Sequence, residues 1–142
     1  MPDRISKDTS KMTDEAYQKY ALQGVSRTFA FTIPQLPEKL CVQVGNAYLL
    51  CRITDTIEDD AFLPAEQKEA FASEFIKVVK GEHSADHFAA SLLNELSDST
   101  PEAERDLVQN TARVIRLTHG FTLPQRRAIE RCVEEMAIGM IR

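Results

Sequence analysis

The chain has 142 residues, enough for one domain with a substantial core. Its composition, 43% hydrophobic and 27% charged, is ordinary for a soluble globular protein, and its net charge of −5 argues against a nucleic-acid partner or a general pull toward anionic membranes. No apolar run nears the ~20 residues that span a bilayer.

Residues 1–12 are polar, without the apolar stretch of a secretory leader, and are expected to be a disordered tail. A helical part is expected over 13–142. Thr13 can cap a helix that stops at Gly24, and Ser26 a short one through Phe29 and Phe31, broken by Pro34. Pro37 suits the first position of a long helix to about Asp60, and Pro64 that of a helix ending near Gly81. Ser84 opens a helix to about Leu96, Thr100-Pro101 one that Gly120 closes, and Thr122 with Pro124 the last. No stretch alternates with period two over strand length, so the fold class is all-α. The last helix carries Ile129, Cys132, Val133, Met136 and Met140 on an apolar face and reaches Ile141-Arg142 without a stop signal, which reads as a chain cut short. Cys41, Cys51 and Cys132 lack metal-ligand spacing and read as buried thiols of a reducing, cytoplasmic compartment.

Chemistry concentrates in residues 48–60. At 100° per residue, Tyr48, Arg52, Asp55 and Asp59 share roughly a 60° arc of one helix face, with Asp55 and Asp59 one turn and about 6 Å apart. Val42, Leu49, Leu50, Ile53 and Ile57 cover the opposite side, and Val44, Ala47 and Cys51 one flank, so the helix is expected to be buried nearly all round. Glu58, Asp59 and Asp60 oppose the macrodipole at the C-terminal end by roughly 0.3–1 kcal/mol per group. The Asp55–Asp59 repulsion adds about 0.2–0.5 kcal/mol. A hard cation such as Mg²⁺ would relieve both. The bland alternative is a solvated acidic helix end with Arg52 paired to Asp55 or Asp59.

Ser26-Arg27-Thr28-Phe29, at a helix start, offers amides, hydroxyls and a guanidinium to an anion such as a diphosphate; a plain cap with a surface arginine is the simpler alternative. His83 and His87 lack a third zinc ligand. No nucleophilic triad, phosphate-binding glycine loop or dinucleotide fingerprint is present.

Together, Ser26-Arg27-Thr28-Phe29, Tyr48-Leu49-Leu50-Cys51-Arg52 and Asp55-Thr56-Ile57-Glu58-Asp59-Asp60 resemble the first half of the squalene/phytoene synthases, and are closer to the squalene synthases. Cys132 to Met140 resembles that family's helix before its second active-site half. The resemblance spans roughly residues 14–142 and implies the helical isoprenoid-synthase fold, with only its N-terminal half in this chain. It implies a cavity in which two facing acidic motifs bind Mg²⁺ and prenyl diphosphates. By position, Asp55 and Asp59 would be the metal ligands. Tyr48 and Arg52 would be catalytic, lining the cavity and meeting diphosphate. Ser26, Arg27, Thr28 and Phe29 would form a flap over it. The second acidic motif has no counterpart before Arg142, so the isolated chain is expected to be catalytically incomplete.

The implied reaction is head-to-head condensation of two farnesyl diphosphates, through presqualene diphosphate, to squalene. NADPH would be the reductant, although no residue here marks a nicotinamide site. Phytoene or dehydrosqualene formation, without NADPH, is the alternative within the family. A non-catalytic helical interaction module is the alternative outside it. The resemblance also implies a prenyl diphosphate substrate and a peripheral membrane contact for a lipophilic product. An open half-cavity would favour self-association.

Overall fold

The computed structural model describes residues 9–141, and the side chains of all of these except 140 and 141. They form eight α-helices and one 3₁₀ turn, with no strand among the described residues. Helix α1 spans Asp14–Val25, with the Thr13 hydroxyl accepting from Ala16 N at 3.0 Å. Ser26 ends α1 and opens α2, Arg27–Thr32: its N–H donates to Leu22 O, and its hydroxyl accepts from Phe29 N at 3.2 Å. The 3₁₀ turn Ile33–Gln35 carries Pro34, and Pro37 is the N-cap of α3, Glu38–Asp59. Helix α4, Ala65–Val79, follows Pro64. It closes at Gly81, whose φ of 84° is left-handed, with Glu82 N donating to Lys77 O at 2.8 Å. Helix α5 is Ala85–Glu95, capped by Ser84.

The helix expected from Thr100 to Gly120 is two: α6, Glu102–Gln109, and α7, Thr111–His119. Asn110 breaks it at φ −102°, ψ 23°, with its side-chain amide donating to Asp106 O at 2.8 Å. Asparagine competes locally for backbone hydrogen bonds, and here that competition wins. Helix α8, Leu123–Ile141, opens with a reciprocal cap. Thr122 N donates to Gln125 Oε1 at 3.1 Å, and Gln125 N to Thr122 Oγ1 at 3.4 Å.

Helix α3 is the hub, packing against α1, α4, α6, α7 and α8. Its Leu49, Leu50, Ile53 and Ile57 are fully buried, among Tyr17 of α1, Phe75 and Val79 of α4, Phe88 and Leu92 of α5, Leu107 of α6 and Val133 of α8. Helix α1 approaches closely at Gly45, where an added Cβ would stand 3.0 Å from Gln18 Oε1 and 3.2 Å from Leu22 Cδ1.

Two burial expectations are corrected. The flank of α3 at Val44, Ala47 and Cys51 is half-exposed, so α3 is not covered all round. On α8 the buried ridge is Ile129, Val133 and Ala137, whereas Cys132 is exposed. Ridge-to-ridge contact buries an i, i+4, i+8 row and leaves the neighbouring row at its edge. The cysteines are therefore not buried thiols: Cys41 and Cys51 are half-buried and Cys132 is exposed.

Residues 1–8 of the expected tail lie outside the described residues. Thr9 to Met12 form a turn that is held: Arg113 donates to Thr9 O at 2.7 Å and to Met12 O at 3.4 Å, with its guanidinium 5.2 Å from the Tyr17 ring centroid. Among the described residues, no helix is long and apolar enough to cross a membrane.

Candidate functional site

The single helix α3 positions Tyr48, Arg52, Asp55 and Asp59. Their shared face follows from helical period alone, but the four do not line one cavity. Arg52 and Asp59 line a cavity of about 220 Å³ with Thr56, Asp60, Ser99, Thr100, Pro101 and Glu104, whereas Tyr48 and Asp55 are not in its lining. The reason is an ion pair the sequence reading missed. Arg52 Nη2 donates to Glu104 Oε1 at 2.5 Å, drawing the guanidinium toward α6. Glu104 is buried, and Arg52 Nε is buried without a hydrogen-bond partner. Burial works against the Arg52 charge, but the hydrogen bond and charge of Glu104 outweigh it, with smaller help from Tyr48 and Asp55, and the guanidinium is raised above its ordinary value. No local signal marks Glu104, since an acid in the first turn of a helix is unremarkable.

A loop fixes where Glu104 stands. Asp60, the C-cap of α3, is buried at 3% exposure rather than solvated with its neighbours. Its Oδ1 accepts from Phe62 N at 2.9 Å and Leu63 N at 3.0 Å. Its Oδ2 accepts from Ser97 N at 2.8 Å, Ser97 Oγ at 2.9 Å and Thr100 Oγ1 at 3.1 Å. Burial raises the carboxyl, but these donors outweigh it and hold Asp60 at about 2. Arg105 donates to Leu96 O and Ser97 O at 3.1 and 2.6 Å, gripping the same loop from the α6 side. Asp60 is thus a structural acid that seats the start of α6.

Asp55 is half-buried and Asp59 exposed, one turn apart. Burial raises the Asp55 carboxyl; Arg52 opposes that and Asp59 adds to it. The Ser26–Phe29 segment reaches α3 through Phe29. Phe29 stacks on Tyr48 with ring centroids 4.2 Å apart and planes at 23°. Ser26 is committed to its cap, and Arg27 and Thr28 are exposed. The structure therefore brings Phe29 to Tyr48, and puts Arg52 and Asp59 in the lining of one small cavity. It leaves Asp55 half-buried and outside that cavity's lining.

That donor set fits part of a magnesium site. Mg²⁺ favours one or two carboxylates, completing its shell with water and phosphate oxygens. Asp55 and Asp59 offer two such groups whose mutual repulsion a cation offsets. Among the described residues no group of three or more His, Cys, Asp or Glu could hold a metal, so a protein-only cage is not built.

On the other edge of α3, Cys51 is half-buried. Burial pushes Cys51 up to about 12, with Cys132 and then Asp55 adding to the rise.

A profile of the squalene/phytoene synthase family matches residues 22–142. The squalene synthase of Schizosaccharomyces pombe is 30% identical over 119 residues, covering 84% of this chain and 24% of that protein. The squalene synthase of Solanum lycopersicum is 49% identical over 47 residues, 33% of this chain and 11% of that protein. A Botryococcus squalene synthase of Botryococcus braunii is likewise 49% identical over 47 residues, covering 33% of this chain and 10% of the relative. No solved structure matches the chain. The chain spans from a tenth to a quarter of these relatives' lengths. The match over residues 22–142, the all-α fold and the squalene synthases among its relatives show that this chain belongs to the squalene/phytoene synthase family.

Proposed function

We propose that this chain supplies one diphosphate-binding half of a squalene synthase-type prenyltransferase. The whole enzyme would condense two farnesyl diphosphates head to head, through presqualene diphosphate, and reduce the product to squalene. The observation that carries this reading is the Asp55–Asp59 pair, one turn apart on a helix whose opposite face is fully packed, beside Tyr48 and Arg52.

Asp55 and Asp59 would hold Mg²⁺ together with substrate oxygens. When bound, the cation supplies positive charge against the charge that develops on the leaving diphosphate. The chain's own groups do the rest. Exposed Arg27 meets the diphosphate from the flap. Arg52, steadied by Glu104, keeps a positive charge beside Asp59. The stacked Phe29–Tyr48 pair presents aromatic surface that excludes water from the allylic carbon as its bond to oxygen breaks. NADPH would supply the hydride that converts presqualene diphosphate to squalene. The product is a lipid, and Phe31 and Phe62, each 77% exposed, suit a peripheral membrane contact or self-association.

Calorimetric titration of the chain with MgCl₂, with and without inorganic pyrophosphate, tests the site. Mg²⁺ binding that requires pyrophosphate supports the proposal. No binding in either titration speaks for an interaction module instead. Product analysis of the encoded full-length polypeptide with farnesyl diphosphate and NADPH tests the reaction: squalene is expected, and dehydrosqualene or phytoene would move the assignment to the other branch.

A further inference from the structure

A cavity of about 420 Å³ lies among α1, α2, the 3₁₀ turn and the first turns of α3. None of Tyr48, Arg52, Asp55 or Asp59 lines it, so it is separate from the candidate site. Its size falls in the range of small-molecule pockets, roughly 300–1,000 Å³. Leu22 and Ile33, both buried, and Ala30 and Val42, both half-buried, give it apolar walls, and Leu36, 38% exposed, adds a fifth apolar side chain. The walls are tied together by hydrogen bonds. Gln18 Nε2 donates to Val42 O at 2.8 Å, joining α1 to α3. The Cys41 thiol donates to Ile33 O at 3.0 Å and to Leu36 O at 3.3 Å, joining α3 to the 3₁₀ turn. The charged side chains in the lining are Glu15 and Lys19 of α1 and Glu38 of α3, all exposed. None of the three pairs with another charged group among the described residues.

We propose that this cavity binds a small amphipathic amine, with its apolar body against Leu22, Ala30, Ile33, Leu36 and Val42 and its ammonium beside Glu38 and Glu15. The apolar walls favour a hydrocarbon or aromatic body, because binding removes both surfaces from water. Charge selects the head. Lys19 stands one turn after Glu15 on α1 and offsets that carboxylate, which leaves Glu38 as the surplus negative charge. An ammonium head supplies the missing counter-charge. A carboxylate head would meet two acids against one lysine, and a hydroxyl head would leave Glu38 unmatched. The site is formed in advance, since the Gln18 and Cys41 hydrogen bonds hold its walls in place, so little ordering is needed on binding.

The test titrates n-octylammonium chloride into the isotope-labelled folded chain and follows its NMR signals. Saturable shifts are expected at Leu22, Ala30, Ile33, Leu36 and Val42, with Asp55 and Asp59 unmoved. n-Octanol, with the same body and no charge, is expected to bind about two- to fivefold more weakly, and octanoate more weakly still. Glu38→Gln is expected to weaken n-octylammonium about two- to fivefold and to leave n-octanol unchanged. Ala30→Leu, which fills part of the cavity, is expected to abolish binding of both. Glu38 is exposed, so its variant keeps the test decisive even where Ala30→Leu lowers the melting temperature. No saturable shift at the cavity, octanoate binding as tightly as n-octylammonium, or Glu38→Gln binding n-octylammonium like the wild type would each overturn the proposal. The titration contains neither Mg²⁺ nor pyrophosphate, so failure here leaves the proposed function standing.

Discussion

Arg52 of α3 donates to Glu104 of α6 at 2.5 Å, rather than to Asp55 or Asp59 on its own helix. The pair joins the helix bearing the acidic motif to a helix about fifty residues later, in a setting where Glu104 is largely removed from water. Removing Glu104 leaves the half-buried Arg52 charge without its counter-ion, and removing Arg52 leaves the buried Glu104 charge without its own. In urea unfolding, Glu104→Ala and Arg52→Ala are each expected to cost about 1–2 kcal/mol, because Arg52 retains some solvent. The double mutant should lose less than the sum, with a coupling of about 1 kcal/mol. Additive losses would show that the pair carries no net interaction.

Asp60 and Asp59 are adjacent acids with opposite duties. Asp60→Asn turns one acceptor oxygen into a donor amide facing Ser97 or the Phe62–Leu63 amides, and is expected to cost about 2–3 kcal/mol. Asp59→Asn is expected to change stability by less than about 0.5 kcal/mol. Equal losses in denaturant melts would contradict the structural assignment of Asp60.

The same carboxylate sets an acid limit. Asp60 is held at about 2 in the fold, against an ordinary value of 3.8 when unfolded. Because the folded value is the lower one, its contribution is fully present above about pH 4. It is lost as pH falls from there toward 2, and amounts to about 1–2 kcal/mol. Wild-type stability, measured by urea unfolding at successive pH values, is expected to fall more steeply over that window than that of Asp60→Asn. Parallel curves would show that another group sets the acid response.

Asp55→Asn relieves both the burial that raises Asp55 and its repulsion with Asp59. Its melting temperature is therefore expected to match or slightly exceed the wild type, and Asp59→Asn should behave similarly. Both variants are expected to lose pyrophosphate-dependent Mg²⁺ binding. A variant that melts much lower yet binds normally would make these acids structural.

Two glycines in helices predict opposite outcomes for one substitution. At Gly45 a Cβ meets Gln18, which is 4% exposed and donates to Val42 O at 2.8 Å. At Gly139 a Cβ meets nothing within 4 Å. Gly139→Ala is expected to stabilise by up to about 1 kcal/mol through helix propensity. Gly45→Ala is expected to destabilise by about 1 kcal/mol as α1 is pushed off α3. Thermal melts of the two single variants check the sign of each.

Much of this protein was legible in local sequence. Thr13, Ser26 and Ser84 are caps, Gly81 ends a helix, and Pro37 and Pro64 open theirs from the N-cap, one residue before the first helical position expected of them. Each signal is written within a few residues of the backbone groups it satisfies, so sequence alone carries it. The spacing of Asp55 and Asp59 is local in the same sense, because helical period puts residues four apart on one face whatever surrounds them. Tertiary structure decided the rest: the turn of Arg52 to Glu104, the burial of Asp60 under Ser97 and Thr100, and the open flank at Cys51. Helical period says which side chains share a face, but not which distant segment covers it. Charge and burial at these residues depend on partners tens of residues away, and only packing brings those within hydrogen-bond reach.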